Sequence, residues 1–269
     1  MPVSKFRFPI TYRRRGLTLL ELIVVMTVLA ATAAIVLPLL PNLLRRAHKV
    51  TDATQTAEMS KAIQTHHAAY LSYPDQWDLM TEAGGALPDF IPADDGAPFG
   101  GAQIDTLSED EVKALKRVGI TLGHHFVQTA PNHPTEDPYA ASVLAPTTLT
   151  FDTTPVFVID ATTTGEYPVE ISNDLQRDPT ARFVVFGAGP RATMVGKIIQ
   201  NAPTSVPQNV EFTPSTLYSR IGVIFQVAGT GILTTKRARF IGAVALEDDE
   251  IKSTEKDLVG YYDIAASGQ

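Results

Sequence analysis

Glu21 is the only ionisable side chain in the 24 residues from Leu17 to Leu40, a run that is otherwise almost wholly apolar. A carboxylate placed in hydrocarbon is costly, so an acid one turn inside a membrane helix has a partner or a task. No Lys, Arg or His falls between Arg15 and Arg45, so no neighbour in the same helix can supply the opposite charge. The counter-charge must come from elsewhere.

Other residues invite chemistry and lose it on inspection. His66-His67, His124-His125 and His133 could suit a metal, but adjacent histidines on a helix point about 100° apart and cannot share one ion. The other three are placed in a loop with no H-x-x-x-H spacing, so all five read as ordinary surface and helix-face histidines. Gly187-Ala188-Gly189-Pro190-Arg191-Ala192 follows a strand pattern and has the form G-x-G-x-x-A. A dinucleotide fingerprint needs a helix from the second glycine, whereas Pro190 and Thr193-Met194-Val195-Gly196 favour a turn and a second strand. A hairpin is therefore expected. Glu247-Asp248-Asp249-Glu250 lacks the spaced oxygens and glycine of a calcium loop and reads as a solvated turn. With no G-x-S-x-G or paired-acid motif, the chain is not expected to be an enzyme, nor to carry a metal or cofactor.

The element that must position Glu21 is a helix. At 1.5 Å per residue the run is roughly 36 Å long, enough to cross a bilayer. Lys5, Arg7, Arg13, Arg14 and Arg15 precede it without an acid, which holds the N-terminus on the cytoplasmic side. The run is longer than the core of a secretory signal and ends at Pro38-Leu39-Leu40-Pro41, so signal peptidase cleavage is disfavoured.

The basic leader, Gly16, Leu17, Thr18, a glutamate five residues past the glycine and some twenty apolar residues closely resemble the type III signal of type IV pilins and type II secretion pseudopilins. The resemblance covers roughly residues 10 to 45. It implies cleavage by prepilin peptidase between Gly16 and Leu17, N-methylation of the new Leu17 amine, and pairing of Glu21 with the N-terminal ammonium of a neighbouring subunit. It also implies a bend at Pro38, where many members of the family carry a proline. Leu17 departs from the usual phenylalanine.

Beyond the anchor, the 269-residue chain has room for one head of about 200 residues. Removing the five leader cations from a formal net charge of −7 leaves −12, which disfavours nucleic acid as a partner. Cysteine is absent, so the disulfide-bounded loop of many major pilins cannot form, and this favours a pseudopilin. From Asn42 to about Leu71 the pattern is amphipathic helix, with Leu43, Ala47, Val50, Ala53, Ala57, Ile63, His67 and Tyr70 or Leu71 on the inner face and Arg45, Lys49, Asp52, Glu58 and Lys61 outside. Pro74 ends it. Residues 74–107 read as a long irregular connector. Ser108 caps a short helix whose Glu111 reaches back, with Lys116 and Arg117 at its end and Gly119 closing it. Strands are expected at 148–151, 156–160, 169–172, 182–186, 194–199, 210–212, 221–227, 239–246 and 258–264, joined by connections too short for crossover helices.

The expected fold class is α+β and pilin-like: a long N-terminal helix, transmembrane then amphipathic, packed on a mostly antiparallel sheet. The organisation is leader 1–16, assembly half 17–41, amphipathic half 42–73 and periplasmic head 74–269. The expected function is a structural subunit, most closely a type II secretion pseudopilin; the alternatives are a minor type IV or DNA-uptake pilin, or a signal-anchored periplasmic enzyme or binding protein. Expected partners are copies of itself, other pilin-like subunits, prepilin peptidase, the inner-membrane assembly platform and membrane lipid.

Overall fold

A computed structural model describes residues 18–37, 40–88, 90–91, 93–94, 97–98, 102–127, 144–163, 167–203, 218, 220–247 and 250–252. Arg13, Arg14, Arg15, Gly16, Leu17, Pro38, His133, Asp248, Asp249 and the strands expected at 210–212 and 258–264 lie outside the described residues. The chain divides into two compact units between Leu44 and Arg45.

The first unit holds α1 (Leu19–Val36), eighteen residues with no side chain buried. It is long and apolar enough to cross a membrane. Its hydroxyls are satisfied internally: Thr27 Oγ1 donates to the Val24 carbonyl at 2.8 Å and Thr32 Oγ1 to the Leu29 carbonyl at 2.9 Å. Such bonds let threonine sit in an apolar helix without an unmet polar group.

α2 spans Leu40–Tyr70 and continues into the second unit. It ends where Leu71 turns into the left-handed region at φ +57°, three residues before Pro74. The stripe it buries is Lys49, Asp52, Ala53, Thr56, Met59, Ala62, Ile63 and His66. This corrects the expected inner face in part: Ala53 and Ile63 are buried and Glu58 and Lys61 exposed as expected. Leu43 and Val50 are exposed, while Lys49 and Asp52, assigned to the outside, are buried. At 100° per residue Val50 and Met59 lie on opposite sides of the helix, so Val50 faces away from the side that carries Met59 into the core.

The sheet is built from β1 (Trp77–Glu82), β4 (Gln103–Thr106), β5 (Leu122–Phe126), β6 (Leu144–Thr148), β7 (Pro155–Ile159), β8 (Arg182–Gly187), β9 (Ile221–Ala228), β10 (Arg239–Glu247) and β11 (Glu250–Lys252). β2 (Ala93–Asp94) and β3 (Ala97–Pro98) form a separate small hairpin. The main order is β11-β10-β9-β8-β1-β5-β6. β8 is the branch point, because β1 meets it at Gly187 while β7 runs along Phe183–Val185 and carries β4 on its far edge. Every pairing is antiparallel except β1 with β5. The sheet is thus mixed, mostly antiparallel, in an α+β, pilin-like arrangement.

Side chains alternate across β8. Val184 and Phe186 join Met59 and Ile63 of α2 and Val112 and Leu115 of α3 (Glu109–Lys116) in one core. Phe183 and Val185 join Ile171 and Leu175 of α4 (Val169–Arg177) in the other. Both faces are covered, which explains the near-continuous apolar runs in β7, β8 and β9.

Several local expectations change. Residues 74–107 are not one irregular connector, since β1 lies there in mid-sheet with Trp77 to Thr81 buried. Two buried faces erase its period-2 pattern, and Met80 at φ +60° breaks its register. Residues 169–172 begin α4 rather than a strand, because Ile171 and Leu175 at i, i+4 share one helical face. The expected strand at 194–199 is a run of turns joined by a lone bridge from Val195 to Ile199. At 148–151 only Thr148 is extended, closing β6. A helix, α3, does lie on the path between the parallel strands β1 and β5. α3 itself matches expectation, with the Ser108–Glu111 capping box and Gly119 at φ +96°.

Candidate functional site

α1 starts at Thr18, which adopts an extended N-cap conformation. The Glu21 backbone N–H donates to Thr18 Oγ1 at 3.3 Å, and Glu21 Oε2 accepts from the Thr18 backbone N–H at 3.3 Å. This is a reciprocal capping box, and it satisfies two of the donors that a helix N-terminus leaves open. The T-x-x-E spacing was visible in the sequence, but the charge of Glu21 drew the reading away from it. Within one subunit the acid therefore has hydrogen-bond donors and no cation: the box holds the carboxylate at the first turn of an exposed apolar helix, and its negative charge remains uncompensated by any described residue.

Residues 11–37 match the prokaryotic N-terminal methylation motif, the cleavage signal of type IV pilins and pseudopilins. No curated protein and no solved structure matches the chain. The motif defines the class of the N-terminal segment, a pilin-like signal processed by prepilin peptidase and made for assembly with pilin-like subunits. With the single apolar helix it points to an inner-membrane anchor. The match ends at residue 37, so the head must be read from its own structure.

The other candidates resolve into packing. Gly187 and Gly189 sit where Tyr218 and Asp78 press on the backbone: a Cβ on Gly187 would lie 1.8 Å from the Tyr218 hydroxyl, and one on Gly189 would lie 2.1 Å from both Asp78 carboxylate oxygens. Close approach explains the G-x-G, and no helix follows it. The expected hairpin is also replaced, since β8 is flanked by β9, β7 and β1.

His66, His124 and His125 are buried rather than superficial, and His67 is half-buried. His66 Nδ1 lies 2.9 Å from the Ser72 carbonyl, tying the end of α2 to the following turn. His124 and His125 are on β5, not in a loop, and are 2% and 4% exposed. Burial lowers both below the ordinary imidazole value, so they are neutral at pH 7. Among the described residues no group of three or more His, Asp or Glu could hold a metal ion.

Sequence reasoning missed two carboxylates. Asp75 accepts from the Thr121 N–H at 2.8 Å, the Thr121 hydroxyl at 2.7 Å and the Leu122 N–H at 2.9 Å, which fixes the segment after α2 to the start of β5. Asp78 is fully buried on β1 and accepts from the Tyr218 hydroxyl at 3.0 Å. Burial raises its pKa from 3.8 to about 7, against the Tyr218 hydrogen bond and the Arg220 guanidinium, which both pull it down. The folded state holds this proton more tightly than the unfolded chain does. Stability from Asp78 is therefore greatest below about pH 4, falls as pH rises to about 7 and is flat above that, a span on the order of 4 kcal/mol. Asp78→Asn is expected to flatten that slope, checked by thermal unfolding of the detergent-solubilised chain from pH 4 to 8; an unchanged slope would assign it to other groups.

Proposed function

We propose that this chain is a structural subunit, not an enzyme, and most closely a pseudopilin of a type II secretion machine. Prepilin peptidase would cut between Gly16 and Leu17 at the cytoplasmic face, and the Leu17 amine would be N-methylated. The basic residues Arg13, Arg14 and Arg15 keep that end inside, so the head is periplasmic. Subunits would leave the membrane by bundling α1, with the Leu17 ammonium of one copy meeting Glu21 of another.

The observation that carries this reading is the motif at residues 11–37 fused to an apolar helix that is exposed along its whole length and holds one acid near its start. Leu43, Leu44 and Val50, exposed on α2, extend the apolar surface available to neighbouring helices. The absence of cysteine favours a pseudopilin over a disulfide-bearing major pilin. A head of nearly 200 residues favours a minor subunit.

Mass spectrometry of the N-terminus of the native protein tests the reading. The expected mature chain begins at Leu17 with one added methyl group. An intact Met1, or a cut beyond residue 30, would replace this reading with a signal-anchored periplasmic enzyme or binding protein.

A further inference from the structure

The head carries one concentrated basic face. Six of the seventeen lysines and arginines that follow residue 16 lie at or just past the C-terminal ends of α3, α4 and α5 (Thr230–Thr235): Lys116, Arg117, Arg177, Lys236, Arg237 and Arg239. All six are exposed. The three ends are bound together. Arg117 Nη1 donates to the Lys236 carbonyl at 2.9 Å, the Ala238 N–H to the Ala114 carbonyl at 3.1 Å, and the Thr230 N–H to the Asp178 carboxylate. Cations complement helix C-termini, but that accounts for one or two per helix and not for three helices ending together.

The face is hollow. A cavity of about 580 Å³ opens between Arg177, Arg237 and Arg239, within the size range of ligand sites, and the buried Ile232 and Ala238 give it an apolar floor. It already holds two carboxylates, both its own. Asp174 pairs with Arg239 at 2.6 Å, and Asp178 accepts from Thr180 and from the Thr230 N–H, bonds that hold its pKa down at about 2. Arg237 Nη2 donates to the Arg117 carbonyl at 3.5 Å, and among the described residues neither Arg237 nor Arg177 meets a carboxylate. A guanidinium has five N–H groups to offer, so both keep donors for a ligand. Gln226 also lines the cavity and is 6% exposed; its Nε2 is spent on the Ala228 carbonyl at 3.1 Å, which leaves Oε1 as an acceptor for an N–H.

Two guanidiniums and an amide oxygen in one cavity call for a ligand that brings both carboxylates and N–H donors. A bare phosphate or sulfate ion offers acceptors chiefly, whereas an acidic stretch of polypeptide offers both groups at close spacing. We propose that this cavity docks an acidic segment of a second protein, with its carboxylates on Arg177 and Arg237 and a backbone N–H on Gln226. The charge of the rest of the chain sharpens the site. At a formal −12 without the leader, the head repels an acidic partner elsewhere and leaves this face as its place of approach. Nucleic acid fits less well, because phosphates running past the face meet that acidic remainder and because Asp174 and Asp178 lie inside the cavity. Every residue of the site lies beyond the N-terminal motif, so the inference stands apart from the assembly reading.

The test is fluorescence anisotropy on the full chain in detergent, with a labelled peptide of alternating glutamate and glycine as the probe. Saturable binding with a Kd below about 1 mM is expected, and the same peptide with glutamine for glutamate should bind at least roughly tenfold more weakly, a comparison that needs no variant. Arg177→Ala with Arg237→Ala should weaken the glutamate peptide by roughly tenfold with the near-ultraviolet circular dichroism unchanged, while Arg177→Lys with Arg237→Lys should stay within about threefold of the native chain. Lys61 and Lys197 are exposed cations away from the cavity, and Lys61→Ala with Lys197→Ala should leave binding as it was. An equal loss in that control pair, equal binding of the glutamine peptide, or no saturable binding overturns the site. Displacement of the peptide by an equal concentration of inorganic phosphate would reduce it to a simple anion site, and tighter binding of a labelled oligothymidylate would assign the face to nucleic acid; either result overturns the acidic polypeptide as its partner.

Discussion

Replacing Glu21 with alanine is expected to leave the chain in the membrane and keep it out of filaments. Insertion depends on the apolar length of α1, which the substitution does not shorten, and removing an acid from hydrocarbon eases it. Assembly depends on what Glu21 offers a neighbour. In the structure its carboxylate accepts from the Thr18 N–H within its own helix and meets no cation among the described residues. Two roles are therefore available, cap and charge partner, and they separate experimentally. Glu21→Gln keeps an amide oxygen for the Thr18 N–H but carries no charge. If the ammonium of the neighbouring Leu17 is the partner, glutamine fails as alanine does, with filament-incorporated subunit down by roughly tenfold or more. Incorporation of the glutamine variant at the native level, with loss only in alanine, would assign Glu21 to helix capping alone. The readout is the ratio of sheared or sedimented filament subunit to total membrane subunit.

The second large effect is predicted at Gly189. A side chain there would place its Cβ 2.1 Å from both oxygens of Asp78, so either β1 or the segment after β8 must move. Gly189→Ala is expected to destabilise the head by roughly 2 to 4 kcal/mol, as overpacking against a buried polar group does, and to lower the thermal midpoint by about 5 to 12 °C. Asp78→Ala in the same chain removes the obstructing carboxylate. The double variant should then lose less than the sum of the two single losses, because the residues touch. Strict additivity would mean that Gly189 is needed for another reason, and a nucleotide-binding role for the G-x-G segment would return to consideration. Thermal unfolding followed by near-ultraviolet circular dichroism in detergent reads all three variants.

Much was written locally in the sequence. The apolar run pointed to a helix fit for a membrane, because such a run in hydrocarbon satisfies its backbone only internally, and Leu19–Val36 is that helix. The spacing of Gly16, Leu17 and Glu21 marked a signal that the motif at residues 11–37 matches. α3 was legible residue by residue, because Ser108, Glu111 and Gly119 act on backbone groups within one turn of themselves. β7, β8, β9 and β10 were also visible as apolar runs between turns.

Tertiary packing decided what these neighbours could not. Which face of α2 meets the sheet depends on where the sheet is, and packing buried Asp52 and Met59 while leaving Val50 exposed. β1 was hidden because both its faces are buried and its pattern carries no alternation, and α4 was hidden because a short β-branched segment reads as a strand until Leu175 is seen to share a face with Ile171. Gly187 and Gly189 resembled a cofactor loop because the residues that require them, Tyr218 and Asp78, arrive from 31 and 111 positions away in the chain. The N-terminal signal acts through residues adjacent in sequence, so sequence alone determined it; the head is held by contacts across long separations, and only the folded chain shows which residues those contacts join.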